Sequence, residues 1–125
     1  MPTLLALCGL DIPESVDGKN VFAPDWDRDY IHGEHLYDGG SCQWIVTEKD
    51  KFIWFSSIDR KQYFDLEKDP DELHNAIADE QYQARIRELE QILIQELAWR
   101  EEGYVKDGKL VPRKHWTPVL KNPKK

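Results

Sequence analysis

The residues with the most obvious chemistry lie in one short stretch, His32-Gly33-Glu34-His35. Imidazole and carboxylate groups at this spacing can bind a metal ion or transfer protons. The stretch falls in a run that favours a β-strand, where side chains three positions apart point to opposite faces. His32 and His35 therefore cannot share a metal unless the strand bends at Gly33. We predict no metal site here, and we consider His32 and His35 candidate substrate-binding residues only within a larger protein.

Other patterns of catalytic or metal-binding residues are incomplete. Asp25, Asp27 and Asp29 alternate in a loop, but the glycine and the distal glutamate of an EF-hand calcium loop are absent. The sequence has no GxSxG motif, no P-loop and no GxGxxG motif. No serine adjoins a histidine in the sequence, although spatial adjacency stays open. The sequence therefore predicts no catalytic residues of its own.

The two cysteines, Cys8 and Cys42, are too few to indicate a disulfide framework. Neither belongs to a CxxC pair, so free thiols are expected, with a Cys8–Cys42 bridge as the alternative. No apolar run reaches the roughly 18 residues that a membrane-spanning helix needs. The N-terminus has no basic stretch before an apolar one, so it does not look like a signal peptide, and the compartment stays unknown.

Charge is distributed unevenly along the chain. The whole sequence has a formal net charge of −7, whereas residues 103–125 contain seven Lys or Arg and one Asp. This segment is therefore +6, and residues 1–102 are −13. A basic segment can bind nucleic acid or an anionic membrane, but this one is short and interrupted by proline. We predict a basic extended tail anchored by Trp116, with neither nucleic acid nor a membrane as partner.

Hydrophobic patterning indicates one short helix, several strands and one long helix. A proline near its start and Gly9 at its end favour an apolar helix over residues 2–8, which we expect to be buried. Runs rich in aromatic and β-branched residues predict strands at 30–36, 43–48, 52–56 and 62–66. Asp69 or Asp71 is expected to cap a short helix that reaches Ile77. A helix over residues 80–101 is predicted from apolar residues at helical spacing, namely Ile86, Leu89, Ile92, Leu93 and Leu97.

These elements predict an α+β fold over residues 1–102. About four consecutive strands with short links favour a small antiparallel sheet. The long C-terminal helix is amphipathic, so it can bury its apolar stripe against one face of that sheet, with the short N-terminal helix beside it. A chain of 125 residues supports one core of this kind.

Four segments together resemble the C-terminal part of type I sulfatases of the alkaline phosphatase superfamily, and the arylsulfatase-type members most of all. The first three are MPTLLALCGLDIPESVDGKN at 1–20, YIHGEH at 30–35, and KFIWFSS followed by QYFDLEKDPDELHNAI within 51–77. The fourth is LIQELAWREEGYVKDGKL at 93–110. The resemblance covers nearly the whole chain, and its 51–77 segment is the most specific match.

The resemblance implies a two-part sulfuric ester hydrolase. Its large domain would hold a calcium ion and a formylglycine made from a C/S-x-P-x-R motif, and its C-terminal subdomain would close one side of the cleft. This chain has no such motif, because no Cys or Ser is followed two positions later by proline. We therefore expect an N-terminally truncated fragment that has no catalytic residues, no calcium ligands and no cofactor of its own.

Two hypotheses about function follow from this resemblance. In the first, the chain is a sulfatase C-terminal fragment that supports a missing catalytic domain, closes the substrate cleft and is inactive alone. Its partner would be that catalytic domain or a second copy of the chain. In the second, the chain is an independent binding module that uses the exposed former interface or the basic tail.

Overall fold

The computed structural model describes residues 1–16, 18–37 and 40–113. Two α-helices, one 3₁₀ turn and six strands account for the regular structure of these residues. The elements are α1 (Pro2–Leu7), β1 (Ile31–Tyr37), β2 (Gly40–Val46), β3 (Asp50–Phe55), β4 (Arg60–Asp65), a 3₁₀ turn (Glu80–Tyr82), α2 (Gln83–Leu97), β5 (Val105–Lys106) and β6 (Lys109–Leu110). The predicted α+β fold is confirmed.

Strands β1 to β4 form one antiparallel sheet in the order β1-β2-β3-β4. Each strand pairs with its neighbour in the sequence, which is the arrangement that short connections favour. The β2–β3 hairpin turns at Thr47, whose backbone N–H donates to the carbonyl of Asp50 over 2.9 Å. The Thr47 hydroxyl also accepts the backbone N–H of Asp50 over 3.1 Å. This turn fixes the register that places alternate residues on the two faces of the sheet.

Helix α2 packs on one face of the sheet, which we call the helix-side face. Its apolar side chains recur at helical spacing, so they form a single stripe that can be buried together. The predicted stripe residues Ile86, Leu89, Leu93 and Leu97 are all buried, whereas Trp99 beyond the helix is exposed. The sheet contributes the other half of the core through Ile45, Phe52, Trp54 and Tyr63.

An ion pair between a buried carboxylate and a partly exposed guanidinium fastens the first turns of α2 to the sheet. Asp50 is almost fully buried, and Arg85 donates to its two carboxylate oxygens over 2.7 and 3.2 Å. The Tyr63 hydroxyl donates to the same carboxylate over 3.3 Å. Burial first, and the Asp50 carboxylate second, raise the pKa of Tyr63 above its ordinary value. Asp50 thus has partners for both of its oxygens in a position where an unpaired charge would be costly.

The short helix predicted after Asp69-Pro70 is absent, and residues 66–79 form turns. The Asp69 carboxylate accepts backbone N–H groups from Leu73 and His74 over 3.0 and 2.7 Å. Asp69 was therefore the right residue to predict as a cap, but Glu72 has a φ of +55°. A residue in the left-handed region interrupts helical hydrogen bonding, so the turn that Asp69 stabilises does not continue into a helix.

Helix α1 is formed as predicted, but two of its leucines face solvent. Pro2 is buried, whereas Leu4 and Leu7 are 64% and 67% exposed. The Thr3 hydroxyl accepts the backbone N–H of Val21 over 3.1 Å, which joins the helix to the following loop. The expected burial of this helix is therefore not achieved within the described residues.

Residues 103–113 begin the segment that was predicted to be an extended tail. They form the β5–β6 hairpin, whose turn residues Asp107 and Gly108 both have positive φ angles. Tyr104 is buried and packs edge-on against Trp54 with ring centroids 5.6 Å apart, so this hairpin belongs to the same core as the sheet. The division of the chain at residue 103 stays a prediction, and Trp116 lies outside the described residues.

Candidate functional site

The two candidate histidines lie on opposite faces of β1, as the alternation of side chains along a strand requires. His32 lies on the helix-side face and His35 on the other face, which we call the open face. His35 is exposed and sits opposite Cys42 in the sheet register. The two imidazole rings are therefore separated by the sheet and cannot act on one group.

His32 belongs to a polar cluster between β1, β2 and the end of α2. Its Nε2 atom is 2.9 Å from Oε1 of Gln43, which is fully buried. The Gln43 Nε2 atom donates to Glu34 over 3.2 Å and to the Ser41 hydroxyl over 3.1 Å. Because Oε1 of Gln43 can only accept, His32 carries its proton on Nε2 in this arrangement. His32 Nδ1 then faces Oε2 of Glu96 on α2 at 4.0 Å.

Arg100 extends this cluster beyond the end of α2. Its guanidinium lies 2.8 Å from the Glu34 carboxylate and also pairs with Glu102. Partial burial opposes ionisation of Glu34, but hydrogen bonds from Arg100 and Gln43 outweigh it, so the Glu34 pKa lies below its ordinary value. Glu34 is thus an ionised structural carboxylate that ties the edge strand to the rest of the fold, which makes it a poor general acid.

The open face of the sheet carries apolar side chains that are only partly buried. Trp44, Ile53 and Phe55 lie there on adjacent strands, and the guanidinium of Arg60 is 4.8 Å from the Phe55 ring centroid. The Trp44 indole lies over Gly33, where an added Cβ atom would be 2.3 Å from the indole Cε2. Gly33 is therefore required for close packing, and β1 continues past it to Tyr37.

A groove runs beside the helix-side cluster, between the loop before β1 and the last turns of α2. It has a volume of about 530 Å³. Trp26, Arg28, Tyr30 and Glu96 line it together with His32 and Lys19. The Tyr30 hydroxyl donates to Glu96 over 2.6 Å, and the Arg28 guanidinium lies 5.8 Å from the Trp26 ring centroid. The groove was not predicted from the sequence, because its walls come from two distant segments. Tyr30 and Glu96, which are hydrogen-bonded, lie about 65 residues apart in the chain.

The described residues contain no group of three His, Cys, Asp or Glu side chains that could hold a metal ion together. Cys8 and Cys42 are both free thiols, and burial raises the pKa of Cys42, which disfavours the reactive thiolate. Within the same part of the chain, no helix has both the length and the apolar character needed to cross a membrane.

Residues 1–98 match the family described as N-sulphoglucosamine sulphohydrolase, C-terminal. The chain belongs to this family of sulfatase C-terminal domains. An arylsulfatase of Clostridium perfringens (strain 13 / Type A) is 52% identical over 117 residues, which cover 89% of this chain. The resemblance predicted from the four sequence segments is therefore confirmed.

Solved sulfatase structures contain the same fold. A protein solved in complex with its substrate D-glucosamine-2-N,6-O-disulfate matches with a TM-score of 0.67 and 24% identity over 76% of this chain. A 2-O GAG sulfatase matches with a TM-score of 0.71 and 19% identity over 82% of this chain. A putative sulfatase from Bacteroides thetaiotaomicron VPI-5482 gives the same values. At these identities the likeness shows the fold alone.

The chain spans only part of these proteins. It covers 24% of the length of the Clostridium arylsulfatase and 22% and 24% of the first two solved chains. The chain lacks the C/S-x-P-x-R motif from which the formylglycine of the family is made.

Proposed function

We propose that this chain acts as the C-terminal subdomain of a sulfatase, where it supports the catalytic domain and closes one side of the substrate cleft. The observation that carries this proposal is the family match over residues 1–98. The sheet with its single packed helix supports it, because the solved sulfatases contain the same fold. In this proposal the reaction is the hydrolysis of a sulfate ester, and its chemistry belongs to the catalytic domain.

Two apolar surfaces support a role in contacting another domain. The open face presents Trp44, Ile53 and Phe55 in a half-buried state, and helix α1 exposes Leu4 and Leu7. Removing apolar surface from water is favourable by about 25 cal/mol per Å². Contiguous patches of this kind on a soluble domain are typical of interaction surfaces. We infer that the catalytic domain covers them and that a second copy of this chain can do so in its absence.

His35 is the better placed of the two histidines to meet a substrate. It is exposed on the open face, beside the surface assigned to the catalytic domain. His32 is only 18% exposed and is held by Gln43 below α2. A side chain that already has a buried partner must lose that partner before it binds a ligand. We therefore propose His35 as the substrate-facing residue and His32 as a residue that fixes β1.

A domain exchange tests this proposal. The matching C-terminal quarter of the Clostridium perfringens arylsulfatase would be replaced by this chain, and turnover of a chromogenic aryl sulfate would be measured. We expect the chimera to keep activity within about tenfold of the parent, since 52% identity preserves most contacts. The chain alone should show no turnover, because it lacks the activated nucleophile that sulfate ester cleavage needs.

Two variants sharpen the test. His35→Ala in the chimera should raise KM with little loss of folding stability, whereas the matched change His74→Ala, at an exposed turn, should alter neither. A soluble, folded chimera without activity would contradict the proposed role. Binding of the isolated chain to an unrelated anionic partner, with no affinity for the arylsulfatase lacking its C-terminal quarter, would favour the independent binding module instead.

A further inference from the structure

The groove beside α2 combines an aromatic surface with charged side chains of both signs. It is concave, has a volume of about 530 Å³, and combines Trp26 with the cations Lys19 and Arg28. Most of its lining is polar or charged, which suits a ligand with hydroxyl or charged groups better than an apolar ligand. It lies at the β1 edge of the sheet beside α2, and His35 does not line it.

The two cations of this groove have no acidic partner among the described residues. Arg85 and Arg100 each pair with carboxylates, as do Lys51 and Lys61. Arg28 instead lies 5.8 Å from the Trp26 ring centroid, and neither it nor Lys19 forms an ion pair within the described ranges. An ammonium and a guanidinium group in one groove can bind an anionic group, and a guanidinium suits the oxygens of a sulfate particularly well.

The carboxylates of the groove limit how much negative charge a ligand can carry. Glu96 accepts the Tyr30 hydroxyl over 2.6 Å, and Asp27 accepts the backbone N–H of Arg28 over 2.7 Å. Asp29 also lines the groove. These groups would repel a polyanion, but they can accept hydrogen bonds from hydroxyl groups. The Trp26 indole, 38% exposed, offers a flat apolar surface to the C–H face of a ring.

We propose that this groove binds a monosulfated sugar unit, with Trp26 against the sugar ring, Arg28 and Lys19 at the sulfate, and Glu96 at a hydroxyl group. The proposal rests on the proposed function for its ligand class, since sulfate esters are the substrates of that function. The groove is then a secondary subsite that holds a neighbouring unit of the substrate away from the reacting ester.

The test uses the full chain and three probes: a glucose monosulfate ester, glucose, and sodium sulfate. Binding would be followed by amide chemical shifts in two-dimensional NMR. We expect saturable shifts at groove residues with the sulfate ester, at an affinity at least about tenfold above that for glucose or sodium sulfate. Arg28→Gln should weaken binding of the ester by about ten- to a hundredfold, because a charged hydrogen bond is lost.

Arg87→Gln is the matched control, since Arg87 is exposed on α2 and does not line the groove. It removes the same charge and should leave affinity unchanged. Trp26→Ala is the second variant, and it should weaken the ester and glucose alike but leave sodium sulfate unaffected. Far-UV circular dichroism of each variant checks that the fold is kept.

Three results would overturn the subsite. They are an absence of saturable shifts, equal affinity for the ester and sodium sulfate, and equal weakening by Arg28→Gln and Arg87→Gln. If one of these results is found and the chimera still turns over the aryl sulfate, the subsite is rejected but the proposed function is not. An inactive chimera in which the groove still prefers the ester would reject the proposed function and keep the binding site.

Discussion

Truncation of Leu93 on α2 gives a direct measure of how much the helix–sheet core contributes to stability. Leu93 is fully buried and lies midway along the stripe that faces the sheet. Leu→Ala removes three carbon atoms, which corresponds to about 2.4 kcal/mol at about 0.8 kcal/mol per buried methylene. The cavity that remains adds to this loss, so the expected destabilisation is about 2–5 kcal/mol.

The free energy of unfolding would be measured by urea denaturation followed by circular dichroism. Leu73→Ala is the matched control, because Leu73 is 85% exposed. The same chemical change there should alter stability by less than about 0.5 kcal/mol. The slope of the denaturation curve should stay constant between wild type and both variants, since the extent of unfolding is the same.

A loss below about 1 kcal/mol for Leu93→Ala would show that the stripe does not form the core. Equal losses at Leu93 and Leu73 would refute the reasoning in a different way, because they would separate stability from burial. A changed slope would indicate that the variant unfolds from a different native or denatured state, and the free energies could not then be compared directly.

The remaining predictions concern charge, pH and association. Asp50→Asn should destabilise the chain by about 1–3 kcal/mol in a urea melt, because it removes the buried charge that accepts hydrogen bonds from Arg85 and the Tyr63 hydroxyl; a loss below about 0.5 kcal/mol would show that the pair is dispensable. Hydrogen bonds from Tyr82 and Lys68 lower the pKa of Asp65 to about 2. The ionised Asp65 therefore contributes to folding stability above about pH 4, and this contribution is lost as the pH falls from about 4 towards 2. Solvent screening limits this contribution to about 1 kcal/mol. Tyr82→Phe should reduce the difference in unfolding free energy between melts at neutral and acidic pH. An unchanged difference would contradict the role of Tyr82 in lowering the Asp65 pKa. The average mass in light scattering should rise with concentration and fall in Ile53→Lys, which puts a charge on the open face; a strictly monomeric wild type would count against that face as an interface.

The sequence was sufficient for the elements whose signals are local. Helical spacing predicted the buried positions Ile86, Leu89, Leu93 and Leu97, and all four are in the core. Two neighbouring runs rich in aromatic and β-branched residues, joined by a short link, predicted the antiparallel strands β2 and β3. These features succeed because burial on one face imposes a period of 3.6 or 2 residues on the sequence itself.

The features that depend on distant pairs were not predicted. The bonds from Arg100 to Glu34 and from Tyr30 to Glu96 join residues that have no sequence relationship to one another. The prediction of a helix after Asp69 was wrong. The cap at Asp69 was recognised, but the left-handed conformation at Glu72, which ends the turn, was not. A cap stabilises the first turn only, and the residues that follow decide whether the turn continues.

The separation of His32 from His35 determines how the strand β1 can contribute to a sulfatase. Helix α2 covers the middle of the sheet with apolar side chains, but it reaches β1 through the polar groups of Glu96 and, beyond its end, of Arg100. Glu96 faces His32 and Arg100 pairs with Glu34, so these two residues of β1 hold the edge strand against the helix side. Among the described residues, His35 has no hydrogen-bond or ion-pair partner, and it is exposed on the open face. The cluster around Gln43 fixes the edge strand β1 from the helix side. Because the strand is fixed, His35 projects from its other face in a defined position, which the proposed role of His35 requires.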